Sequence, residues 1–436
     1  MSQKRIVIST FGSFGDIHPY IALALELQAR GHRPVIATME IYREKIAGAG
    51  LEFHSTRPNI PAPGQQDQEL IEKIMEPKTG PRFLTEQVIF PAVRESYEDL
   101  LKAVVNDADL LITHPAAPAG PLVARKTRIK WISTVLAPLS FYSAYDPPVP
   151  PYWSWLSNLR VLGPSFMGSC LNLVKGTYKA KLVTQFRDEL RVGDYGNPMF
   201  EGQHSPSRVL ALFSSVFAQP QPDWPTQTRT TGFCFYDGVH ERPMPAALNE
   251  FLEKGEAPID FTLGSSAVWV AKDFFKESVK AAEKLGKRAI ILIGDFRNLS
   301  ESLPDNVVAA DYAPYQSLLP RASVIVHHGG VGTTSHCLRA GVPTLIVPFA
   351  FDQMDNADHA RRLGTSRTLH RKLYRSERVT KELRTLLENN SYAEKARSVG
   401  VKLRSENGPA CAANHVEQLL AEGTSISEEP AYALSH

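Results

Sequence analysis

Residues 323–348, SVIVHHGGVGTTSHCLRAGVPTLIVP, decide the fold of this 436-residue chain. An apolar, β-branched run predicts a buried parallel strand, and the glycines and threonines after it lead into a helix. Glycines let a ligand approach the backbone, and the free N–H groups of the helix start form an anion site. The helix dipole stabilises an exposed anion there by only about 0.3–1 kcal/mol. An anion with more charge, such as a diphosphate, therefore needs a further hydrogen-bond donor or a cation. His328 is placed to supply one, and the two threonines can cap the helix and donate hydroxyl groups.

Strands alternate with helices on both sides of this stretch. Strands are predicted at residues 5–10, 34–38, 109–113, 130–135, 209–213, 259–263, 288–293, 307–309, 324–327 and 344–347. Helices are predicted at residues 18–30, 83–105, 117–126, 171–190, 272–285, 353–363 and 409–421. This alternation is typical of parallel sheets covered on both faces. The sequence therefore predicts an α/β protein of two tandem Rossmann-like, doubly wound domains that face a cleft.

Changes in composition predict where these units begin and end. The expected parts are an N-terminal domain (1–217), a linker (218–245), a C-terminal domain (246–402), a helix packing back on the first domain (403–422) and a flexible tail (423–436). No signal peptide and no run of about 18 apolar residues is seen, so we expect no transmembrane helix. Four scattered cysteines without metal-type spacing indicate a reducing, cytoplasmic compartment.

The charge balance gives little reason to expect a nucleic-acid partner. The chain carries 48 basic and 46 acidic residues, for a formal net charge of +2. A balance this close to zero predicts no general attraction to polyanions. Partners are therefore expected to be small molecules, with the chain as a monomer or homodimer.

The motif around His328 resembles a known family. The run His328-Gly-Gly-Val-Gly-Thr-Thr, followed by Ala340-Gly-Val-Pro and by Asp352-Gln353, is similar to the donor signature of family 1 glycosyltransferases. The bacterial, sterol and macrolide branches are the most similar. The resemblance implies the GT-B fold and an inverting, metal-independent transfer from a UDP-sugar or dTDP-sugar. No cofactor is implied beyond this co-substrate.

The resemblance also assigns roles to individual donor-side residues. It implies diphosphate binding by His328, Gly330, Gly332, Thr333, Thr334 and Ser265, nucleobase and ribose binding by Tyr312, Ala313 and His336, and sugar binding by Asp352 and Gln353. Tyr312 stands where the family usually has a stacking tryptophan. His336 stands where plant-type members have a ribose-binding glutamate, so the choice between UDP and dTDP stays open. The alternative role of Asp352 is to cap the helix at 353–363, and that of His336 is to lie on a polar helix face.

The first strand ends in a loop that predicts the catalytic base. Residues 10–19 read TFGSFGDIHP, with Gly12 and Gly15 in a turn and Pro19 suited to a first helical turn. Many relatives have a catalytic Gly-His pair, whereas this chain has Gly15-Asp16, as in the sterol and glycopeptide branches. We therefore expect Asp16 to be the base. His18 is the second candidate, as the base itself or as Asp16's partner, because imidazole is the better base at neutral pH. The structural alternatives are a helix cap for Asp16 and a backbone-bonded His18.

Aromatic and apolar residues near this loop predict a lipophilic acceptor bound by the first domain. The candidates are Phe11, Phe14, His114, Tyr142, Trp153, Trp155, Phe166 and Met167, and we expect about half of them to be core. His114 can also orient the base. Flavonoids, sterols and macrolides are acceptors of this kind. The segment around Arg160, Lys175, Lys179 and Lys181 can alternatively make a weak peripheral membrane contact.

Two other functions fit parts of this pattern. A nucleotide-sugar 2-epimerase shares the GT-B architecture, but it needs no aromatic acceptor pocket. A non-catalytic nucleotide-sugar-binding protein needs no base. The combination of Asp16 with Asp352-Gln353 favours transfer over both.

Overall fold

The computed structural model of the chain describes residues 2–61, 68–105, 107–150, 154–178, 180–238, 242–294 and 302–422. Within these ranges the strands form two parallel sheets of seven and six strands. The first sheet, in the order β3-β2-β1-β4-β5-β6-β7, contains β1 (Arg5–Ser9), β2 (Arg33–Thr38), β3 (Glu52–Ser55), β4 (Leu110–Thr113), β5 (Trp131–Val135), β6 (Val209–Ala211) and β7 (Thr228–Thr230). The second, in the order β10-β9-β8-β11-β12-β13, contains β8 (Ile259–Thr262), β9 (Ala289–Leu292), β10 (Val307–Ala310), β11 (Val324–His327), β12 (Thr344–Ile346) and β13 (Ser366–Thr368).

Helices cover both faces of each sheet. Around the first sheet lie α1 (Phe14–Ala29), α2 (Arg43–Gly48), α3 (Gln68–Ile74), α4 (Gly80–Phe83), a π-helical turn (Leu84–Ile89), α5 (Val93–Val105), α6 (Ala119–Thr127), α7 (Pro164–Thr177) and α8 (Lys181–Leu190). The second half contains α9 (Ala246–Glu253), α10 (Gly264–Ala267), α11 (Phe274–Leu285), α12 (Tyr315–Leu318), α13 (Val331–Ala340), α14 (Gln353–Arg362), α15 (Ser376–Glu388), α16 (Asn390–Arg404) and α17 (Gly408–Ala421). Short 3₁₀ helices occur at Glu40–Tyr42, Pro138–Phe141, Ser154–Leu162, Glu201–Gln203, Val268–Val270, Leu319–Arg321 and Arg371–Leu373. No helix in the described ranges is both long and apolar enough to cross a membrane.

Each sheet has one point at which the strand order reverses. In the first sheet β1 pairs with both β2 and β4, and in the second β8 pairs with both β9 and β11. The loops after the two strands at such a point lead to opposite faces of the sheet, which opens a crevice at the carboxyl edge. Doubly wound sheets bind their ligands there, so the loops after β1, β4, β8 and β11 define the candidate site.

The last helix joins the first sheet's core rather than the second's. Buried residues of α17, including Ala412 and Val416, pack with the apolar residues of α1. Arg30 at the end of α1 donates to a carboxylate oxygen of Glu417 at 2.7 Å. The chain therefore crosses back to the N-terminal half after completing the C-terminal one.

Helix α14 is polar yet buried, and the N-terminal half supplies partners for its charges. The backbone N–H of Val149 donates to Asp355 Oδ1 at 2.9 Å. Arg160 donates to Asp358 Oδ2 at 2.8 Å. Buried carboxylates are stable only when they are paired, so the first contact holds the proline-rich segment before residue 151 against α14, and the second holds the 3₁₀ helix at Ser154–Leu162 there.

Several predicted elements differ from the structure. The predicted helix at 18–30 begins earlier, at Phe14, because Ser13 caps it; Pro19 is therefore its sixth residue and not a first-turn residue. The predicted helix at 83–105 is divided around Pro91, which has no N–H to donate. The predicted helix at 171–190 is two helices, α7 and α8.

Three short strands were not predicted. These are β3, β7 and β13, each with polar residues that show no apolar run. β7 pairs with β6 inside the segment that the sequence predicts as a linker, so the prediction that residues 209–213 form the last strand of the first half was wrong. Such strands are stabilised by pairing with a neighbour and not by their own composition.

Candidate active site

The crevices of the two sheets meet at the first turns of α1 and α13. A Cβ atom placed on Gly332 would lie 3.5 Å from the Cα of Gly15. The amino ends of two helices, one from each half of the chain, therefore approach the same space. Both ends carry free N–H groups and a partial positive charge, which favours an anion between them.

Asp16 is fixed at the amino end of α1 through one of its carboxylate oxygens. Its Oδ2 accepts hydrogen bonds from the backbone N–H of Ser13 at 2.7 Å and from the Ser13 hydroxyl at 3.0 Å. Gly12 has a φ of 136°, and a Cβ there would lie 2.3 Å from Oδ2. Asp16 can therefore cap the helix and still present a carboxylate oxygen to the cleft. Its side chain is 34% exposed, and its Oδ1 makes no hydrogen bond to Ser13.

His18 lies on a different side of α1 from Asp16. Two residues along a helix are separated by about 200°, so the two side chains cannot share a partner easily. The His18 ring stacks on Phe14 at 5.3 Å and contacts Tyr236 at 5.2 Å. Burial, with help from the nearby Lys45 and His336, lowers the pKa of His18 to about 3. His18 is therefore neutral, and its buried Nε2 has no hydrogen-bond partner among the described residues.

Asp352 approaches the same space from the C-terminal half. It occupies the position before the first turn of α14, and its Oδ2 accepts from Asn356 Nδ2 at 2.7 Å. Burial raises the pKa of Asp352 to about 7, and the charge of Asp16 contributes to this increase. The predicted sugar-binding carboxylate and the predicted base are thus close enough to interact electrostatically.

Gln353 is only partly available to a ligand. Its Oε1 accepts from the backbone N–H groups of Phe349 at 2.7 Å and Ala350 at 3.0 Å. The amide oxygen therefore fixes the turn before α14, and the amide N–H groups are what the side chain can offer to sugar hydroxyls.

His328 fits between two glycines at the carboxyl end of β11. A Cβ on Gly330 would lie 2.5 Å from its Nε2, and a Cβ on Gly264 would lie 2.6 Å from its Cε1. Burial lowers the pKa of His328 to about 4, so the ring is neutral. It can donate a hydrogen bond to a phosphate, but it does not supply the positive charge that the sequence analysis allowed for.

Gly330, and not a threonine, is the N-cap of α13. Thr333 and Thr334 lie in the first turn, so the prediction that they cap the helix was wrong. Both are buried, and Thr334 Oγ1 has no hydrogen-bond partner among the described residues. Ser265 lies in the facing loop after β8, beside Gly264, and its carbonyl accepts from Trp269 Nε1 at 3.1 Å. The predicted diphosphate-binding residues are thus gathered at the crevice between β8 and β11.

The predicted nucleobase residues lie at the next loop of the sheet. Tyr312 and the buried Ala313 follow β10, and the guanidinium of Arg242 lies 4.7 Å from the centre of the Tyr312 ring. One face of this ring therefore already contacts a cation. The stacking role of Tyr312 stays a prediction.

His336 is enclosed by aromatic rings and does not lie on an open polar face. Phe235 and Tyr315 pack against it at 5.2 and 5.7 Å between ring centres. Arg339 lies 3.4 Å from His336 Nδ1, and burial lowers the pKa of His336 to about 4. Tyr315, which the sequence analysis did not select, therefore contributes a wall next to the predicted ribose position.

The acceptor candidates that the structure describes do not form a single cluster. Phe11 is buried in the first core and lines a narrow cavity of about 20 Å³. Phe14 contacts Tyr42, while Tyr142 packs on Phe200. Trp153 and the side chain of Trp155 lie outside the described residues.

The remaining two candidates belong to α7. Met167 is the buried residue of this helix, and Phe166 is 42% exposed beside other exposed apolar residues. Arg160 and Lys175, two of the basic residues that predicted a membrane contact, form ion pairs with Asp358 and Glu201. The membrane contact stays a prediction.

The narrow cavity includes residues that the sequence analysis missed. It opens at the carboxyl edge of the first sheet, and its walls include Thr56, Arg57, Pro58, Ile89 and residues 116–119. The first three follow β3, a strand without an apolar pattern, and Ile89 ends the π-helical turn. His114, buried at the end of β4, precedes the wall residues 116–119 in the chain, and its Nε2 is 3.6 Å from Asp16 Oδ1.

Comparisons with known proteins agree with this architecture. The family model of the glycosyltransferase family 28 N-terminal domain matches residues 6–106. The model of the erythromycin biosynthesis protein CIII-like C-terminal domain matches residues 280–419. The two matches lie on different sheets.

Whole-chain relatives are also glycosyltransferases. The chain is 29% identical over 425 residues to the O-mycaminosyltylonolide 6-deoxyallosyltransferase of Streptomyces fradiae, covering 93% of this chain and 94% of that enzyme. It is 27% identical over 445 residues to the sterol 3-beta-glucosyltransferase of Pichia angusta, covering 98% of this chain but only 35% of that protein. The solved glycotransferase of kitacinnamycin has the same fold, with a TM-score of 0.70, 22% identity, and coverage of 96% of this chain and 99% of that one.

The two doubly wound sheets, their facing crevices and these relatives define the class of protein: the chain is a glycosyltransferase of the GT-B fold. The N-terminal and C-terminal matches cover both halves of that fold. Together with the whole-chain relatives, they support a family 1 glycosyltransferase.

Proposed function

We propose that the enzyme transfers a sugar, with inversion and without a metal ion, from a UDP-sugar or dTDP-sugar to a hydroxyl group of a small lipophilic acceptor. The observation that carries this proposal is the convergence of Asp16 and Asp352 from opposite halves of the chain on the amino end of α13. A base, a sugar-binding carboxylate and an anion site are the three groups that such a transfer requires.

Asp16 is the proposed base. Its Oδ1 takes the proton of the acceptor hydroxyl while the oxygen attacks the anomeric carbon from the face opposite the leaving group. The bond from that carbon to the diphosphate oxygen breaks, and the electron pair leaves with the nucleoside diphosphate. Inversion follows from attack on the opposite face, and a positioned base contributes typically about 10²–10⁴-fold in rate.

The leaving diphosphate is proposed to lie at the start of α13. Val331 and the residues after it offer backbone N–H groups, and the neutral His328 offers a hydrogen bond from the end of β11. The amino end of α1 approaches the same space, which adds a second helix dipole. These donors stabilise the charge that develops on the leaving group without a metal ion.

The nucleotide is proposed to extend toward Tyr312 and His336. His336 stands where plant-type members have a ribose-binding glutamate, and its neutral imidazole accepts fewer hydrogen bonds from ribose hydroxyls than a glutamate does. The proposal therefore keeps both UDP-sugars and dTDP-sugars as donors. The sugar is proposed to contact the carboxylate of Asp352 and the amide N–H groups of Gln353.

The acceptor is proposed to be a flat or cyclic lipophilic alcohol or phenol. Support comes from the relatives, whose names specify a macrolide-type lactone and a sterol as acceptors. The cavity beside Phe11 is much smaller than the roughly 300–1,000 Å³ of typical small-molecule pockets, so it holds only one end of such a molecule. Flavonoids belong to the same class of acceptor.

A matrix of donors and acceptors tests the reaction. UDP-glucose and dTDP-glucose are each incubated with phenolic, sterol and macrolide acceptors, and products are read by mass spectrometry. We expect an acceptor to gain the mass of one hexose and the anomeric configuration to invert, as measured by NMR. Conversion of the donor to an epimer with no acceptor modified would instead support the 2-epimerase.

Replacing Asp16 by asparagine tests the base. Asn can still accept from the Ser13 N–H, so α1 keeps its cap. We expect Asp16→Asn to lower the transfer rate by about 10²–10⁴-fold while calorimetry shows unchanged donor affinity. Asp305→Asn, at an exposed position, is the matched control. A large loss in His18→Ala with little loss in Asp16→Asn would overturn the assignment.

A further inference from the structure

His114 lies at the reversal point of the first sheet, directly after β4. Its side chain is buried, and the ring packs edge-on against Tyr20 with 5.8 Å between ring centres. Its Nε2 is 3.6 Å from Asp16 Oδ1, the oxygen that the helix cap leaves free. The imidazole therefore approaches the proposed base from the protein side of the cleft.

The hydrogen bond on the other ring nitrogen defines which tautomer is present. The backbone N–H of Ala116 points to His114 Nδ1 at 3.2 Å. A backbone N–H can only donate, so Nδ1 accepts and carries no proton. Burial lowers the pKa of His114, which makes the ring neutral at physiological pH. The single ring proton is then on Nε2, the nitrogen that faces Asp16.

We propose that His114 is a positioning residue for the base. Its Nε2–H faces Asp16 Oδ1 across 3.6 Å, just beyond hydrogen-bond length, and the contact shortens to a hydrogen bond when the acceptor binds. The backbone and hydroxyl of Ser13 hold one oxygen of the carboxylate, and His114 faces the other. The shortened contact fixes the carboxylate plane relative to the cleft. The inference rests on the proposed role of Asp16 in transfer.

The charges around this pair explain why a donor is useful there. Asp352 approaches from α14, and the charge of Asp16 contributes, after burial, to the raised pKa of Asp352. Tyr42 packs near the loop and Tyr20 lies beneath it, and proximity to Asp16 contributes to the raised pKa of both phenols. Both phenols are neutral, and their hydroxyl groups are paired elsewhere, Tyr42 with the Gly12 carbonyl and Tyr20 with Thr134. The Nε2–H of His114 therefore supplies the donor that faces Oδ1.

Two conservative variants separate the two ring nitrogens. In His114→Asn the amide reaches the position of Nδ1, so the bond from Ala116 is kept and the donor to Asp16 is lost. In His114→Gln the amide nitrogen reaches the position of Nε2, so the donor to Asp16 is kept and the acceptor for Ala116 is lost. Transfer rates are measured from pH 4.5 to 9, with donor affinity measured by calorimetry.

The positioning role predicts opposite results for these variants. His114→Asn should lower kcat by roughly tenfold, because a hydrogen bond to a charged group is lost, with the donor Kd unchanged. The acid limb of its pH–rate profile should move to higher pH. His114→Gln should keep most of the rate and the wild-type profile. A His114→Asn enzyme with wild-type rate and profile, beside a damaged His114→Gln enzyme, would show that His114 only holds its loop.

The tautomer supplies a readout that needs no transfer activity. Nitrogen-15 NMR of histidine-labelled enzyme should show His114 with a protonated Nε2 and a bare Nδ1, and the Nε2 signal should shift in Asp16→Asn. A proton on Nδ1 would overturn the proposal. If the NMR result holds but no acceptor is glycosylated, the proposed function fails and the contact between His114 and Asp16 stands.

Discussion

The protonation of Asp352 should make donor binding depend on pH. The pKa of this carboxyl is raised to about 7 by burial, so the group is neutral below pH 7 and charged above it. Sugar hydroxyls donate more strongly to a carboxylate than to a carboxylic acid. Donor affinity should therefore fall as the pH decreases through 7.

The size of this effect follows from the number of hydrogen bonds. A bond to a charged group contributes about 1 kcal/mol more than a neutral one. Two vicinal hydroxyls on one carboxylate thus give about 2 kcal/mol, which corresponds to roughly 30-fold in Kd. Protonation of one group changes Kd by at most about tenfold per pH unit, so a roughly 30-fold change needs about 1.5 pH units. The increase in Kd should therefore level off about 1.5 units below pH 7.

Calorimetry from pH 5 to 8 measures this dependence, with UDP-glucose and dTDP-glucose as ligands. Asp352→Asn should bind more weakly at pH 8 and show no change with pH, whereas Asp305→Asn, exposed on the same half of the chain, should follow the wild type. A wild-type Kd that stays constant, or an equal slope in Asp352→Asn, would refute the reasoning.

Two further predictions concern stability and the catalytic loop. Asp260 on β8 is buried with both carboxyl oxygens unpaired among the described residues, and burial raises its pKa, so the folded protein keeps it protonated. Below about pH 4 this carboxyl group is protonated in both the folded and the unfolded chain, so the free energy of unfolding is not reduced by its ionisation. As the pH rises, the carboxyl ionises first in the unfolded chain, and the free energy of unfolding decreases. Urea unfolding should show Asp260→Val to be more stable by about 1–3 kcal/mol and without that loss between pH 5 and 8. Gly12→Ala should lower kcat by about 10²-fold, because its Cβ displaces the Asp16 carboxylate. Gly31→Ala, also at positive φ but with no atom within 4 Å, should keep kcat, and equal losses in both would contradict this account.

The donor half could be predicted closely because its signals are local. The strand at Val324–His327 and the helix start at Gln353 coincide with the predicted positions. An apolar run followed by glycines specifies a strand, a turn and a helix start within a few residues. The protonation of His328 was not predictable in this way, since it depends on the atoms that bury the ring.

The catalytic half was harder to predict because it depends on distant contacts. Asp16 and His18 looked like possible partners, but the start of α1 at Phe14 places them on different sides of the helix. The contact between Asp16 and His114 joins residues on two loops that only the β1–β4 pairing brings together. β3, which is followed by three residues of the narrow cavity, has no sequence pattern of its own.

The buried face of α14 has a consequence for engineering the enzyme. A new donor specificity is most simply sought by exchanging the whole C-terminal half for that of a relative. Such a chimera would take the acidic side chains at positions 355 and 358 from one parent and their N-terminal partners, Val149 and Arg160, from the other. The crossover point should therefore be chosen so that α14 and the segment with Val149 and Arg160 come from the same parent. The two halves are thus a co-inherited pair and not interchangeable modules.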